Sequence, residues 1–297
     1  MVLGLIVAGT SVAGLLALTC AALVLSKRRF LQRLHAYSTF SGRAAPESVP
    51  TITYAAPNHA KLRELRQEVP LEQIAGAGSD ATRAIALMRW VHGLSKHTPN
   101  PPRPKQLDAV YLIRLCRERR QRLNCRLFST ILNDVYLAVG LPSRIVHLCP
   151  SAETPRESHV VTCVYLRDIA RWALMDPDMR GYIVDELGLP LGVREMRTRL
   201  SGGLALRVND DLHIPGANWL PRPLRNALYR WYLSKNSFRY QCPVRSEPGY
   251  ESSQGGRVYL QAIPDGYHSE WLAAPRATPR GNKIISMNDE DAFWVSP

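Results

Sequence analysis

Apolar side chains recur at helical spacing most clearly between residues 121 and 144, QRLNCRLFSTILNDVYLAVGLPSR. Leu127, Phe128, Ile131, Leu132, Val135, Tyr136 and Val139 share one broad face, which predicts a buried helix. Gly140 suits the position just past its end, and Pro142 stops the helix from resuming. Upstream, residues 79–97 carry Ile85, Met88, Trp90, Val91 and Leu94 on a second apolar face, with Ser79 as a cap and Thr98-Pro99-Asn100-Pro101-Pro102 as the stop. A short charged helix is expected at LRELRQEV, residues 62–69, and another over 106–120. The latter bears Arg114, Arg117, Arg119 and Arg120, a run that reads as a solvated face, with an electropositive rim beside Cys125 as the alternative.

Beyond residue 144 the period changes. RIVHLC (144–149), HVVTCVYL (159–166) and RWALMD (171–176) are short β-branched or aromatic runs, which predicts three strands. Arg167-Asp168-Ile169-Ala170 is short enough to join the last two as a hairpin, and Asp176-Pro177-Asp178 with Gly181 marks a loop. Helices are expected over 192–200 and from about 222 to 235, with further strands near 238–241 and 257–262. Helices first and strands afterwards mean an α+β fold.

Residues 2–26 contain no charged side chain and are long enough to span a bilayer, and Lys27, Arg28, Arg29 and Arg33 follow at once. A cleavable signal carries its charges before a shorter apolar core, so the stretch reads as an uncleaved transmembrane anchor, residues 1–26. The positive-inside rule then puts the remainder on the cytoplasmic side. Residues 27–60 read as a basic juxtamembrane segment and a Ser-, Pro- and Ala-rich linker, 61–215 as the main domain, and 216–297 as a C-terminal extension packing on it.

Composition narrows the function. With 45% hydrophobic and 21% charged residues among 297, the chain is an ordinary folded protein. Lys and Arg number 38 against 25 Asp and Glu, an excess that suits a nucleic acid, an anionic membrane or an acidic substrate. No zinc-finger spacing, arginine–glycine repeat or paired aromatic motif accompanies it, which disfavours nucleic acid. The six cysteines form no CxxC pair and no regular spacing, which argues against a disulfide framework or structural zinc, and nothing calls for a metal or cofactor.

Cys125 falls at the start of the central helix, where unpaired N–H groups and the helix dipole favour a thiolate, as do Arg122 and Arg126 beside it. It is a candidate nucleophile. A thiol nucleophile needs a base and a group that orients the base. His159 opens a strong strand after a polar stretch, and Asp176 ends the next strand. Their midpoint falls within the expected hairpin turn, so the two can be neighbours. Each has a plain alternative: a buried cysteine, a strand histidine, an Asp-Pro turn. His92, His97 and His147 read as structural, and Cys116, Cys149 and Cys163 as packing residues.

Residues 124–177 resemble the transglutaminase-like fold of the papain-type thiol enzymes, in particular bacterial membrane-anchored members. The matches are Cys125-Arg126 with Phe128 and Ser129, Leu141-Pro142-Ser143-Arg144 leading into a strand, His159 opening a strand, and Trp172 before Asp176-Pro177. Two positions depart from the pattern: Asn124 stands where glycine often precedes the cysteine, and Val161 where an aromatic often follows the histidine. The resemblance implies a helix-plus-antiparallel-sheet domain and a Cys125–His159–Asp176 triad performing acyl transfer through a thioester. An oxyanion hole would join the Cys125 N–H to a side-chain donor, for which Gln121 is the candidate. The expected function is a membrane-anchored, cysteine-dependent hydrolase or acyltransferase acting on a protein or peptide, with hydrolysis ahead of crosslinking. The alternative is a non-catalytic peptide-binding or scaffolding module at the membrane. Oligomeric state is left open.

Overall fold

The helix that dominates the apolar pattern lies at the centre of the fold. The computed structural model describes residues 24–42, 49–152, 158–252 and 255–297. In it the central helix, α6 (Cys125–Ala138), is buried without interruption from Leu127 to Ala138. Asn124 caps it by accepting the Leu127 amide on Oδ1 at 3.1 Å. Gly140 leaves it with φ of 76°, a left-handed exit that a side chain would strain.

Around α6 stand α2 (Ala60–Glu68), α3 (Leu71–Ala75), α4 (Asp80–Gly93) and α5 (Ala109–Arg119). Ser79 caps α4 through the Thr82 amide at 3.2 Å, and Asp108 caps α5 through the Tyr111 amide at 3.0 Å. The arginine run of α5 faces solvent: Arg114 pairs with Glu64 at 3.0 Å and also with Glu68, while Arg117, Arg119 and Arg120 are exposed.

The three expected strands form as β2 (Ser143–Cys149), β3 (His159–Leu166) and β4 (Arg171–Asp176). They are joined in one sheet by β5 (Gly181–Val184), β6 (Arg207–Val208), β7 (Arg239–Pro243), β9 (Val258–Ala262), β10 (Arg276–Ala277) and β11 (Lys283–Met287). Among the described residues the strand order is β10-β11-β9-β7-β2-β3-β4-β5-β6, antiparallel except where β11 pairs with β9. One face of the sheet packs Val164, Leu166, Ala173 and Met175 against α2 to α6. The opposite face packs Val161, Cys163, Trp172 and Leu174 under α7 (Val193–Ser201), α8 (Arg222–Asn236), α9 (Glu270–Ala273) and α10 (Glu290–Phe293).

Residues 216–297 therefore do more than pack on a domain that ends at 215. They supply β7, which pairs directly with β2, and the three strands beyond it. The reason lies in β7 and β9, where Tyr240, Cys242, Leu260 and Ala262 are buried and need a sheet position to be covered. The expected linker also departs from expectation in its described parts. Ile52 is buried, and β1 (Thr53–Tyr54) pairs in parallel with β8 (Arg245–Ser246). Residues 24–36 form a helix, α1, whose Leu34 is only 1% exposed, and Tyr37 and Phe40 pack beside it on the same core. The apolar run 2–26 lies outside the described residues up to residue 23. Among the described residues no helix is long and apolar enough to cross a membrane.

Candidate active site

Three element ends converge. Cys125 is the first residue of α6 and stays partly exposed because Asn124, not the cysteine, spends its side chain on the cap. Asn124 thus has a physical role of its own at the helix start. One turn on, Ser129 donates to the Val160 carbonyl at 3.0 Å, and Thr162 donates to the Ser129 carbonyl at 3.1 Å. Ser129 shares the helix face of Cys125, and Val160 follows His159, so these bonds fasten the cysteine's helix to the histidine's strand.

The hairpin sets the third member. Its turn is a 3₁₀ segment, Arg167–Ile169, that closes with Ala170 at φ of 48°. Pairing runs from Leu166↔Arg171 to Thr162↔Met175, which places Asp176 one step further, opposite Val161. His159 is thus a diagonal neighbour of Asp176 rather than its direct partner. A displacement by an even number of residues keeps both on one face. His159 Nε2 meets Asp176 Oδ2 at 2.6 Å, with the two residues 1% and 0% exposed.

Helix α8 closes the pair from the opposite face. Tyr229 donates its hydroxyl to Asp176 Oδ2 at 3.1 Å, and the Tyr232 ring stands edge-on to the His159 ring at 5.0 Å. The Met179 amide donates to the other carboxylate oxygen at 3.2 Å. Burial disfavours a charged imidazole here, but the Asp176 charge, the Tyr232 hydroxyl and the hydrogen bond to Asp176, with a smaller contribution from the Cys125 side chain, outweigh it and hold the His159 pKa well above its ordinary value. Among the described residues its buried Nδ1 finds no hydrogen-bond partner. The Cys125 side chain is nonetheless close enough to favour the ring's charged form.

The remaining sequence candidates are placed differently. Gln121 Nε2 donates to the Pro102 carbonyl at 3.4 Å. Arg126 is paired with Glu251 at 3.2 Å, so much of its charge is already matched. Arg122 lines a cavity of about 430 Å³ together with His92, His97, Phe128, Asp178 and His213. A second histidine–aspartate pair sits there. His97 Nδ1 meets Asp178 Oδ1 at 2.8 Å, and that hydrogen bond raises the His97 pKa against partial burial. His97 reads as structural from sequence alone; the signal that could have flagged it is the pair of carboxylates in Asp176-Pro177-Asp178. Among the described residues no group of three His, Cys, Asp or Glu comes together to hold a metal.

The other described cysteines are buried, and burial pushes each thiol upward: Cys116, Cys149, Cys163, and Cys242 to about 11. Cys20 lies outside the described residues.

Residues 67–177 match the family model of the transglutaminase-like superfamily. The matched span covers α3 to β4, holds Cys125 and His159, and ends one residue after Asp176. It stops short of α8, so the tyrosines that close the site lie outside it. A crystal structure of a candidate cysteine protease from Cytophaga hutchinsonii aligns at 15% identity over 50% of this chain and 46% of that one, with a TM-score of 0.31. A likeness that remote carries no argument. No curated protein matches the chain.

One titration follows from a neighbouring strand. Burial lowers the His147 pKa to about 4, with Glu251 opposing and Arg126 and Arg257 assisting, and its Nε2 is buried without a partner. The unfolded chain takes up this proton first, near its ordinary pKa of about 6.5. Stability contributed by the neutral ring is therefore complete above about pH 6.5 and falls, by at most roughly 3 kcal/mol, as pH drops toward 4. Denaturant midpoints across that window should show a shallower slope in His147→Gln than in the parent, and equal slopes would contradict the assignment.

Proposed function

We propose that this protein is a membrane-anchored, cysteine-dependent acyl-transfer enzyme that hydrolyses a peptide or isopeptide bond. The observation that carries the proposal is the buried His159–Asp176 pair at 2.6 Å, with the ring's other nitrogen unpartnered beside the start of α6. In this reading the Cys125 sulfur attacks the substrate carbonyl while His159 takes the thiol proton. The proton is then delivered to the departing amine as the C–N bond breaks and a thioester forms. Water activated by the same imidazole cleaves the thioester, releasing the carboxylic acid and restoring the thiol. Asp176 holds the ring's orientation and balances its positive charge, a task that its bond from Tyr229 and the Met179 amide makes rigid. The open hydrogen bond at Nδ1 suits a resting enzyme, because such contacts tighten when substrate arrives. The Cys125 N–H at the helix start can face the developing oxyanion, and Gln121 can join it by giving up its long bond to Pro102.

Alkylation tests the reading directly. Iodoacetamide near pH 6 should modify Cys125 well before Cys116, Cys149, Cys163 or Cys242, which are buried with raised pKa values. His159→Ala should remove most of that advantage, and Asp176→Asn less, since it leaves the imidazole in place. Equal labelling of Cys125 and Cys116 would favour the non-catalytic scaffold instead.

The anchor is proposed from the charge-free run 2–26 and the basic cluster after it, with the enzyme on the cytoplasmic face. Because α1 packs Leu34 on the core and Trp231 donates its indole N–H to Ser26 at 2.9 Å, the cut that separates anchor from domain falls before residue 26. Removing residues 1–23 should release a folded protein from membranes, whereas removing 1–37 should lower its stability by about 2–5 kcal/mol for the loss of Leu34 alone. A 24–297 fragment that still sediments with membranes would refute the anchor.

A further inference from the structure

Beside the start of α6 lies a cleft of about 610 Å³ that the proposed chemistry leaves unused. Asn124, Arg126 and Leu127, which flank Cys125 in the chain, form part of its wall and set the cleft beside the start of α6. Among the described residues Arg103, Lys105, Arg126, Arg257 and Arg280 line it against one carboxylate, Glu251. That carboxylate is already engaged. It pairs with Arg126 at 3.2 Å and accepts the Tyr259 hydroxyl at 2.7 Å.

Arg257 is built into the wall, only 6% exposed. Its Nε donates to Asn282 Oδ1 at 3.1 Å and its Nη1 to the Glu251 carbonyl at 2.6 Å. Both acceptors are neutral and fix the guanidinium plane; the nearby Glu251 carboxylate, which feels the Arg257 charge, is shared with Arg126 and Tyr259. Its Nη2 has no partner among the described residues and is not sealed from solvent. Arg103, Lys105 and Arg280 are exposed around it. A fixed guanidinium edge surrounded by unmatched cations is suited to a carboxylate, which accepts paired N–H donors and balances the local charge.

We propose that this cleft is a specificity site for a carboxylate of the peptide substrate, with Arg257 as its fixed donor and Arg103, Lys105 and Arg280 as its outer ring. The inference rests on the acyl-transfer reading for its placement beside the scissile bond, but it is a statement about binding. An acidic side chain and a peptide C-terminus offer the same chemistry, so the test carries both.

The experiment uses the full chain in detergent with Cys125→Ala, which binds without turning over. Three fluorescent peptides of otherwise equal sequence are titrated by anisotropy: one amidated with an internal glutamate, one amidated with glutamine in its place, and the glutamine peptide with a free C-terminus. At least one carboxylate-bearing peptide should bind about tenfold or more tightly than the amidated glutamine peptide, as expected for a hydrogen bond to a charged group. Which one does so identifies the source. The advantage should shrink at high salt and fall in Arg257→Gln and in Arg280→Gln. Arg280 is exposed, so its variant keeps the test sound if Arg257→Gln folds poorly. Equal affinities for all three peptides, no measurable binding of any, or an advantage that survives both arginine substitutions would overturn the proposal. A carboxylate preference with an unreactive Cys125 would instead remove the acyl-transfer reading and leave the site.

Discussion

Cys125→Ala and His159→Ala should each lower acylation by an activated ester by about three to four orders of magnitude, and the double variant should be no worse than either alone. Residues that form one catalytic unit lose their effect together, because removing the nucleophile leaves the base nothing to activate. Single-turnover release of p-nitrophenol measures the step without knowledge of the natural substrate. Asp176→Asn should come close to the same loss, since the amide can no longer balance an imidazolium at 2.6 Å. Tyr229→Phe is the finer probe. It removes a hydroxyl bonded to Asp176 Oδ2 at 3.1 Å and should cost about tenfold, with the acylation pH profile displaced while the fold survives. A double variant much worse than Cys125→Ala would mean that His159 acts elsewhere. Full activity in Asp176→Asn would remove the carboxylate from the mechanism.

The parts of this site that could be read from sequence are those where local pattern and geometry agree. The seven apolar residues from Leu127 to Val139 require a helix, and its cap leaves Cys125 at the first position. Three short β-branched runs identify β2, β3 and β4 because turn residues separate them. The His159–Asp176 contact was legible as a neighbourhood but not as a register, since the 3₁₀ turn displaces the pairing by two residues. Periodicity carries no information about what packs across the sheet. Tyr229 and Tyr232 lie far along the chain on α8, and their amphipathic helix would look the same with or without an active site beneath it. The same holds for β7, β9 and β11, whose short runs give no hint that β7 enters beside β2. His97 illustrates the limit from the other side: a histidine beyond a helix end is unremarkable until the loop after β4 brings Asp178 to it.

Trp172→Ala should be the most damaging core substitution, lowering stability by about 3–5 kcal/mol, whereas Arg144→Met should stay within about 1 kcal/mol of the parent. The contrast comes from an arrangement on the face of the sheet opposite α6. Arg144 on β2 is 0% exposed, and among the described residues none of its three guanidinium nitrogens finds a hydrogen-bond partner. Its charge instead rests on aromatic faces, 4.3 Å from the Trp172 centroid, 4.6 Å from Trp294 and 5.1 Å from Phe293. A desolvated cation on a ring recovers about 2 kcal/mol, which offsets only part of the cost of burying it without an anion. Methionine keeps the volume and the contacts with the rings while removing that cost, so the two effects nearly cancel. Removing Trp172 empties the largest wall of the cage, breaks its indole bond to the Trp294 carbonyl at 3.1 Å, and leaves the cation with less compensation. In the double variant the two changes should combine to less than their sum, because the uncompensated charge is no longer present. Guanidinium unfolding midpoints at constant slope measure all four proteins. A loss of about 3 kcal/mol or more in Arg144→Met would show that the guanidinium holds this face together by bonds of its own.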